Sequence, residues 1–340
     1  MAYNQGFLSY DSASITQRVD IYAVPNALKN ADPWLVLDKL PGITRTPLPA
    51  NKSDTLVWKR MRELDVDTNT LVEGVTPAAE NFQQETVTDT VDQYGKVIRV
   101  TDKMYNFHSD VGFKEIGGEM GKAMATQKEL INWQTIRGGS QVIYTGTATT
   151  RGTVEDVIQL EHVRKATNVL RNNHGKLLTT MLRAGTGQAT EPVQASYVAV
   201  THSDMDADLR DLDKFIESQR YGSGSLLNEY EIGACEGIRF CLTPHLEPFW
   251  GEGSTTTTGV RSRDGAAVDV YPIVVMAQDF WGTTEFKTRN SFKLDVTPPG
   301  SVKSETDPLG QRGFASYVFW YCATRLNERW GVRIESAASE

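Results

Sequence analysis

Cysteine is scarce in this sequence, and the few that occur exclude more than they suggest. There are three, Cys235, Cys241 and Cys322, an odd count, and Cys235 and Cys241 stand six residues apart rather than at zinc-ligand spacing. Neither a disulfide framework nor a zinc site is expected, and reduced, buried thiols are. Long apolar runs are missing too: none approaches the ~20 residues of a membrane-spanning helix. The first residues, MAYNQGFLSYDSAS, contain no basic stretch and no apolar core, so no signal peptide is expected. The Asn51-Lys52-Ser53 sequon then carries no meaning. Positive charge is in deficit. With 35 Lys and Arg against 43 Asp and Glu the net charge is −8, which argues against a protein whose main work is gripping phosphate backbones.

The usual catalytic arrangements are absent as well. His108, His162, His174, His202 and His245 are scattered, and none has a His or Cys partner at metal spacing. Asp204-x-Asp206-x-Asp208 has the front of a calcium loop, but Leu209 and Phe215 stand where such a loop needs glycine and glutamate. It reads as the acidic first turn of a helix, and His202 before it as a structural hydrogen-bonder. Gly222-Ser223-Gly224 has Leu227 where a dinucleotide fingerprint needs its third glycine, and reads as a turn. There is no P-loop and no G-x-S-x-G elbow. The aromatic run YVFWYC (317–322) has no interleaved Lys or Arg, so it reads as a buried strand rather than a base-stacking platform. No catalytic, cofactor-binding or metal-binding residue is expected.

What is present is length and pattern. A chain of 340 residues is too long for one simple core. Pro25, Pro33, Pro41, Pro47 and Pro49 break residues 1–55 into short apolar clusters, which predicts an extended arm that needs a surface to lie on. LVWKRMRELDV (56–66) reads as a strand. After a polar, turn-rich stretch comes TVTDTVDQYGKVIRV (86–100), a second strand whose apolar faces swap near Tyr94-Gly95. Together they predict a long hairpin, which is not stable alone in water. Residues 110–138 form the best helix, with Phe113, Ile116, Met120, Met124 and Ile131 on one stripe and Gly138-Gly139 as its stop. A second helix is expected from Thr153 as N-cap to Gly175, and a third over 203–219 with Met205, Leu209, Leu212 and Ile216 on one face. Strands are expected at 195–202, GIRFCLTP and VDVYPIVVMA, with a mobile loop at 251–265. The class is α+β.

In order, the segments VEGVTPAAENFQQETVTDTVDQYGKVIRVTD, the long helix, YVAVTHSDMDADLRDLDKF, YEIGACEGIRFCLTP, DVYPIVV and DPLGQRG resemble the phage N4-like branch of tailed-phage major capsid proteins. That family has the Hong Kong 97-like fold, and the resemblance covers nearly the whole chain from about residue 56. It implies an N-terminal arm (1–55), an E-loop hairpin (56–107) and a P-domain with a spine helix (108–185). An A-domain (186–302) follows, and then a return to the P-domain sheet with a C-terminal strand (303–340). It implies a structural protein and not an enzyme: a subunit that self-assembles into hexamers and pentamers of an icosahedral head enclosing double-stranded DNA. Its partners would be other copies of itself, a portal protein at one vertex, and scaffold or decoration proteins. DNA would be met only by non-specific proximity, and no membrane or cofactor is implied. It would be made in the host bacterial cytoplasm and reside in the virion. The contact residues it suggests are Glu73, Gly74, Thr76 and Pro77 at the hairpin tip and Gln93, Tyr94 and Gly95 on the ribbon. Asp307, Pro308, Gly310, Gln311 and Arg312 form a loop that either makes contacts or only shapes its own subunit. An encapsulin-like nanocompartment shell and an α+β enzyme are the competing readings.

Overall fold

The computed structural model describes residues 7–8, 35–48, 53–64, 66, 68, 70, 73, 74, 76, 79, 81–107, 113–182, 190–221, 226–255, 258–286, 292–301, 303 and 306–340. The expectations for residues 9–34, Pro77, His108 and Gly222-Ser223-Gly224 fall outside these. In chain order the described elements are β1 (Phe7–Leu8), β2 (Thr44–Leu48), β3 (Thr55–Met61), β4 (Gln84–Thr90), β5 (Asp92–Thr101), α1 (Asp102–Phe107), α2 (Phe113–Ile136), β6 (Val142–Tyr144), α3 (Leu160–Asn172), β7 (Leu178–Leu182), β8 (Thr190–Thr201), α4 (Asp206–Arg210), β9 (Ile216–Glu217), β10 (Glu231–Cys235), β11 (Ile238–Leu242), β12 (Tyr271–Met276), β13 (Trp281–Phe286), β14 (Phe292–Thr297), β15 (Arg312–Arg325) and β16 (Gly331–Ser336).

Strand β15 organises a six-stranded sheet in the order β1-β5-β15-β13-β2, with β14 also paired to β15. Its large side chains alternate, so Ala315, Tyr317, Phe319 and Tyr321 are buried on one face. Helix α2 lies on that face, where Met120, Met124 and Ile131 join Val100 and Met104 against the aromatic row. The contact is also stitched by polar groups. The Tyr317 hydroxyl donates to Gln127 Oε1 at 3.0 Å, and the Tyr321 hydroxyl to Asn132 Oδ1 at 2.8 Å. YVFWYC is thus not buried on both faces as expected: Tyr317, Phe319, Tyr321 and Cys322 are buried, while Val318 and Trp320 are half-buried.

The second sheet has eight strands in the order β6-β16-β12-β8-β11-β10-β9, with β7 paired to β8. Strands β11, β12 and β16 are buried along their whole length, because both faces are covered. Helix α3 covers one face with Val163, Ala166 and Leu170 over Ile273, Val275 and Ile334. On the other, Val198, Val200, Val274 and Met276 meet Trp133 and Ile136 of α2. The sheets draw on the chain discontinuously. Strands β13 and β14 belong to the first sheet and β6, β7 and β16 to the second, so divisions near 186 and 302 do not coincide with sheet membership.

Several expectations need correction. Part of the arm lies on its own subunit: Val36, Leu37 and Leu40 plug the α2–sheet junction, and Thr44–Leu48 is an edge strand parallel to β13. Pro47 is tolerated there because it sits on an edge. The ribbon 86–100 is not one strand. It breaks at Val91, not at Tyr94-Gly95: β4 pairs with β3, and β5 pairs with β15. Helix α3 starts at Leu160 with Gln159 as N-cap, while Thr153 ends a 3-10 turn. Val154 and Ile158 mimic a helical period but are buried in an extended segment. At its end His174, not Gly175, takes the left-handed conformation (φ 54°). The Gly175 N–H then donates to the Leu170 carbonyl at 2.8 Å. The third helix shrinks to α4, and Lys214 turns the chain at φ 67° four residues past its end. Met205, Leu209 and Leu212 are buried, but Ile216 is 51% exposed in β9. The described parts of the loop, 251–255 and 258–265, are anchored: Gly253 N–H donates to Val268 O, Ser254 N–H to Val154 O and Arg261 N–H to Ala338 O. Arg151 adds to this anchor by pairing with Glu252 and with the fully buried Glu335.

The plug of residues 36–38 is held by Glu129 of α2, which is fully buried. Its Oε1 accepts from Val36 N (2.8 Å) and Leu37 N (2.7 Å), and its Oε2 accepts from Asp38 N (3.3 Å). Orphaning a buried N–H costs about 1–3 kcal/mol. Glu129→Ala should therefore cost about 3 kcal/mol, read as a lower urea midpoint at unchanged slope. A cost near zero would show that water replaces the carboxylate.

A second expectation concerns acid. His162 is buried, and its Nδ1 accepts from Gln159 N at 3.1 Å. Burial, helped by Lys165, holds its pKa below the usual 6.5, against Glu161, Gln159 and Asp156. The unfolded chain takes the proton more readily, so this contribution is full above about pH 6.5 and is lost as pH falls through the lowered value. The thermal midpoint should drop between pH 7.5 and 5, and His162→Gln should flatten part of that slope. An unchanged slope would contradict this role.

Candidate assembly surface

The suggested contact residues fall into three places. Glu73 and Gly74 form an exposed turn beyond the paired part of the hairpin, with Gly74 at φ 80°, and Thr76 is exposed nearby. Gln93, Tyr94 and Gly95 lie in β5, inside the six-stranded sheet rather than on the hairpin. Gln93 and Gly95 face outward. Tyr94 does not: its ring stacks on Phe319 at 5.5 Å between centroids, on the side covered by α2. Burial accordingly pushes its phenol pKa up. Asp307 folds the third place into a tight loop, its Oδ1 accepting from Gln311 N (3.0 Å) and its Oδ2 from Arg312 N (2.9 Å). Gly310 is buried at φ 68° and accepts from Gly300 N at 2.7 Å. Pro308, Gln311 and Arg312 are exposed. The loop abuts the end of β5, where Asp102 N–H donates to Gln311 O. The loop thus meets the far end of β5 from Gln93–Gly95, roughly 20–30 Å along the strand, so the three places are separate.

The hairpin is rooted in the sheet and unsupported beyond it. Leu56 packs with Leu48, Val91 and Cys322. From the rung Lys59–Thr86 outward, every described residue is exposed. The outer part is not simply polar, since Met61 is 57% exposed, Leu64 53%, Val66 88% and Phe82 63%. Residues 62–83 also carry Glu63, Asp65, Asp67, Glu73 and Glu80 against Arg62 alone. On the body, Leu309, Val97 and Phe314 are exposed apolar residues at the β5–loop region. Sequence reading missed all three. Leu309 between Pro308 and Gly310 was the available signal: an apolar residue at the crown of a turn.

Among the described residues no group of three or more His, Cys, Asp or Glu is placed to hold a metal. The three aspartates of the acidic turn diverge: Asp204 pairs with Arg261, Asp206 with Arg210, and Asp208 accepts from Ser339 N. His202 Nδ1 caps the turn by accepting from Asp204 N at 3.1 Å. All three cysteines are free and buried. No helix among the described residues is long and apolar enough to cross a membrane.

A family model described as phage capsid protein matches residues 84–334, which span both sheets, α2 and one strand of the hairpin. The chain belongs to that family. Solved structures extend the likeness beyond the matched residues. The capsid of Ralstonia phage GP4 superimposes at a TM-score of 0.62 with 12% identity, covering 96% of this chain and 99% of that one. The capsid asymmetric unit of cyanophage Pam1 gives 0.63 and 11%, covering 97% and 99%. The head structure of Helicobacter pylori bacteriophage KHP40 gives 0.61 and 12%, covering 98% of each chain. At such identities the shared property is the fold, and it is the α+β, Hong Kong 97-like capsid fold. No curated relative matches the chain by sequence.

One site of this capsid protein has a definite steric demand. A Cβ on Gly95 would lie 2.7 Å from the Tyr317 carbonyl oxygen and 3.3 Å from Val318 Cγ2. Glycine is needed there for close strand pairing, not for a bend. Gly95→Val should cost about 1–3 kcal/mol through overpacking, seen as faster amide exchange along β5 and β15. Wild-type exchange would show that the pair spreads without cost.

Proposed function

We propose that this capsid protein is the major shell subunit of a tailed phage of the N4-like branch, forming hexamers and pentamers of an icosahedral head around double-stranded DNA. The observation that carries the reading is the hairpin. Its outer part exposes Met61, Leu64, Val66 and Phe82 on a ribbon with both edges open, and a two-stranded ribbon is marginal in water without a surface beneath it. A neighbouring copy supplies that surface. Contacts of this head-to-tail type close into rings, and several modest contacts per copy add up through multivalency. Tip residues Glu73, Gly74, Thr76 and Pro77 would meet the neighbour. Gln93, Gly95 and the Asp307–Arg312 loop would lie on the body's own contact face.

In this reading the six-stranded sheet with α2 is the P-domain, and the eight-stranded sheet with α3 is the A-domain. A net charge of −8 suits a container that should not bind its contents tightly. A portal protein at one vertex and scaffold or decoration proteins are the further partners, with synthesis in the host cytoplasm and residence in the virion. The role is structural, with no turnover of a substrate. Neither a nanocompartment nor an enzyme is favoured by the family match.

Deleting residues 70–82 should leave a folded subunit, because no described hydrogen bond ties them to the body. Shell yield, counted by negative-stain imaging after light scattering, should fall by more than about tenfold, the equivalent of roughly 1.4 kcal/mol of association free energy at each hairpin seat. Normal shells from the deletion would refute the interlocking role.

A further inference from the structure

The hairpin leaves the body without a turn. Strand β4 ends at Thr90, β5 begins at Asp92, and Val91 alone separates pairing with β3 from pairing with β15. Val91 N–H closes the base by donating to the Asp54 carbonyl at 2.9 Å. Its side chain is buried with Leu48 and Cys322, and Leu56 and Trp320 pack against them. Such a cluster fixes where the hairpin starts, and directional hydrogen bonds beside it can further define its angle.

Directional bonds lie beside that cluster on both strands, two at Asp89 of β4 and one at Trp58 of β3. On β4, Asp89 Oδ2 accepts from the Cys322 thiol at 3.0 Å and from the Thr324 hydroxyl. Cys322 and Thr324 are two apart on β15 and so point to the same face. The carboxylate therefore reaches across to two donors of a rigid strand. Burial pushes the Cys322 thiol up to about 12, so it remains a donor at neutral pH. On β3, Trp58 Nε1 donates to Thr46 Oγ1 of β2 at 3.2 Å. Beyond the Trp58–Val87 rung every described residue is exposed. Each further residue lengthens the arm by about 3.3 Å, so a small rotation at the root becomes a large displacement at the tip.

We infer that Asp89, through Cys322 and Thr324, is the positioning residue that sets the angle at which the hairpin leaves the subunit, with Trp58–Thr46 as its counterpart on the other strand. It thereby selects which part of a neighbouring copy the tip reaches. The consequence for assembly rests on the shell reading above; the lock itself does not.

The test is made on the unassembled subunit. Spin labels on Gln84→Cys, at the last paired rung, and on Ser301→Cys, on the body, report the hairpin angle as a distance distribution. The parent should give one narrow distance. Asp89→Ala and Thr324→Val should lose it while keeping the thermal midpoint of the fold, and Asp89→Asn, which retains an acceptor, should restore it. A purely structural residue would move the midpoint instead. If Asp89→Ala fails to fold, Thr324→Val alone carries the test, since it exchanges a hydroxyl for a methyl. The same narrow distance in both variants would overturn the lock, whether or not shells form. A broadened distance combined with normal shells would overturn its role in assembly and leave the shell reading intact.

Discussion

The chain changes β-sheet partner across a single residue, Val91, and most of the architecture depends on that change. Before it, β4 is paired with β3; after it, β5 is paired along ten residues with β15. One continuous stretch is therefore both a free ribbon and an integral strand of the sheet beneath α2. The ribbon inherits its direction from a sheet that is itself held by Tyr317, Phe319 and Tyr321 under the helix. Stiffness generated in the core is passed outward through covalent continuity at Val91 and through the bonds of Asp89 to Cys322 and Thr324.

The two sheets are made one body by the same economy of connections. Helix α2 faces the six-stranded sheet with Met120, Met124 and Ile131 and the eight-stranded sheet with Trp133 and Ile136. Residues 36–48 then cross the junction, plugged by Val36, Leu37 and Leu40 and tied to Glu129. The same segment ends as β2, whose Thr46 receives Trp58 of the hairpin. Buried charge elsewhere is used for anchorage, as where Glu335 holds Arg151 bidentately beneath the Phe249 ring. These are the features of a part built to hold its shape and present surfaces.

Much of this was legible in the sequence, and the failures share a cause. The aromatic alternation of β15 and the apolar stripe of α2 are local patterns that tertiary packing reinforces, so they could be read directly. The start of α3 could not. Val154 and Ile158 satisfy a helical period, yet they are buried in extended backbone whose bridge, Val157 to Ala337, comes from the far end of the chain. The switch at Val91 lies in a Thr-Asp-Thr-Val-Asp stretch with no Gly or Pro, and the pairing with β15 decides it. Among the contact candidates, Tyr94 looked like surface and is core because Phe319 offers it a stacking partner. Leu309 was not among those candidates, yet it is 73% exposed on the loop that Asp307 tightens.

The central claim is that the hairpin lies on another copy of the chain rather than on its own. Shells assembled from an equal mixture of light and isotopically heavy protein, carrying a photo-crosslinker at Thr76, test it most directly. Mass spectrometry of the cross-linked peptides should find light–heavy pairs as often as random mixing allows, joining residue 76 to the body of a second copy. Pairs of a single isotope only would place the hairpin on its own subunit and contradict the account.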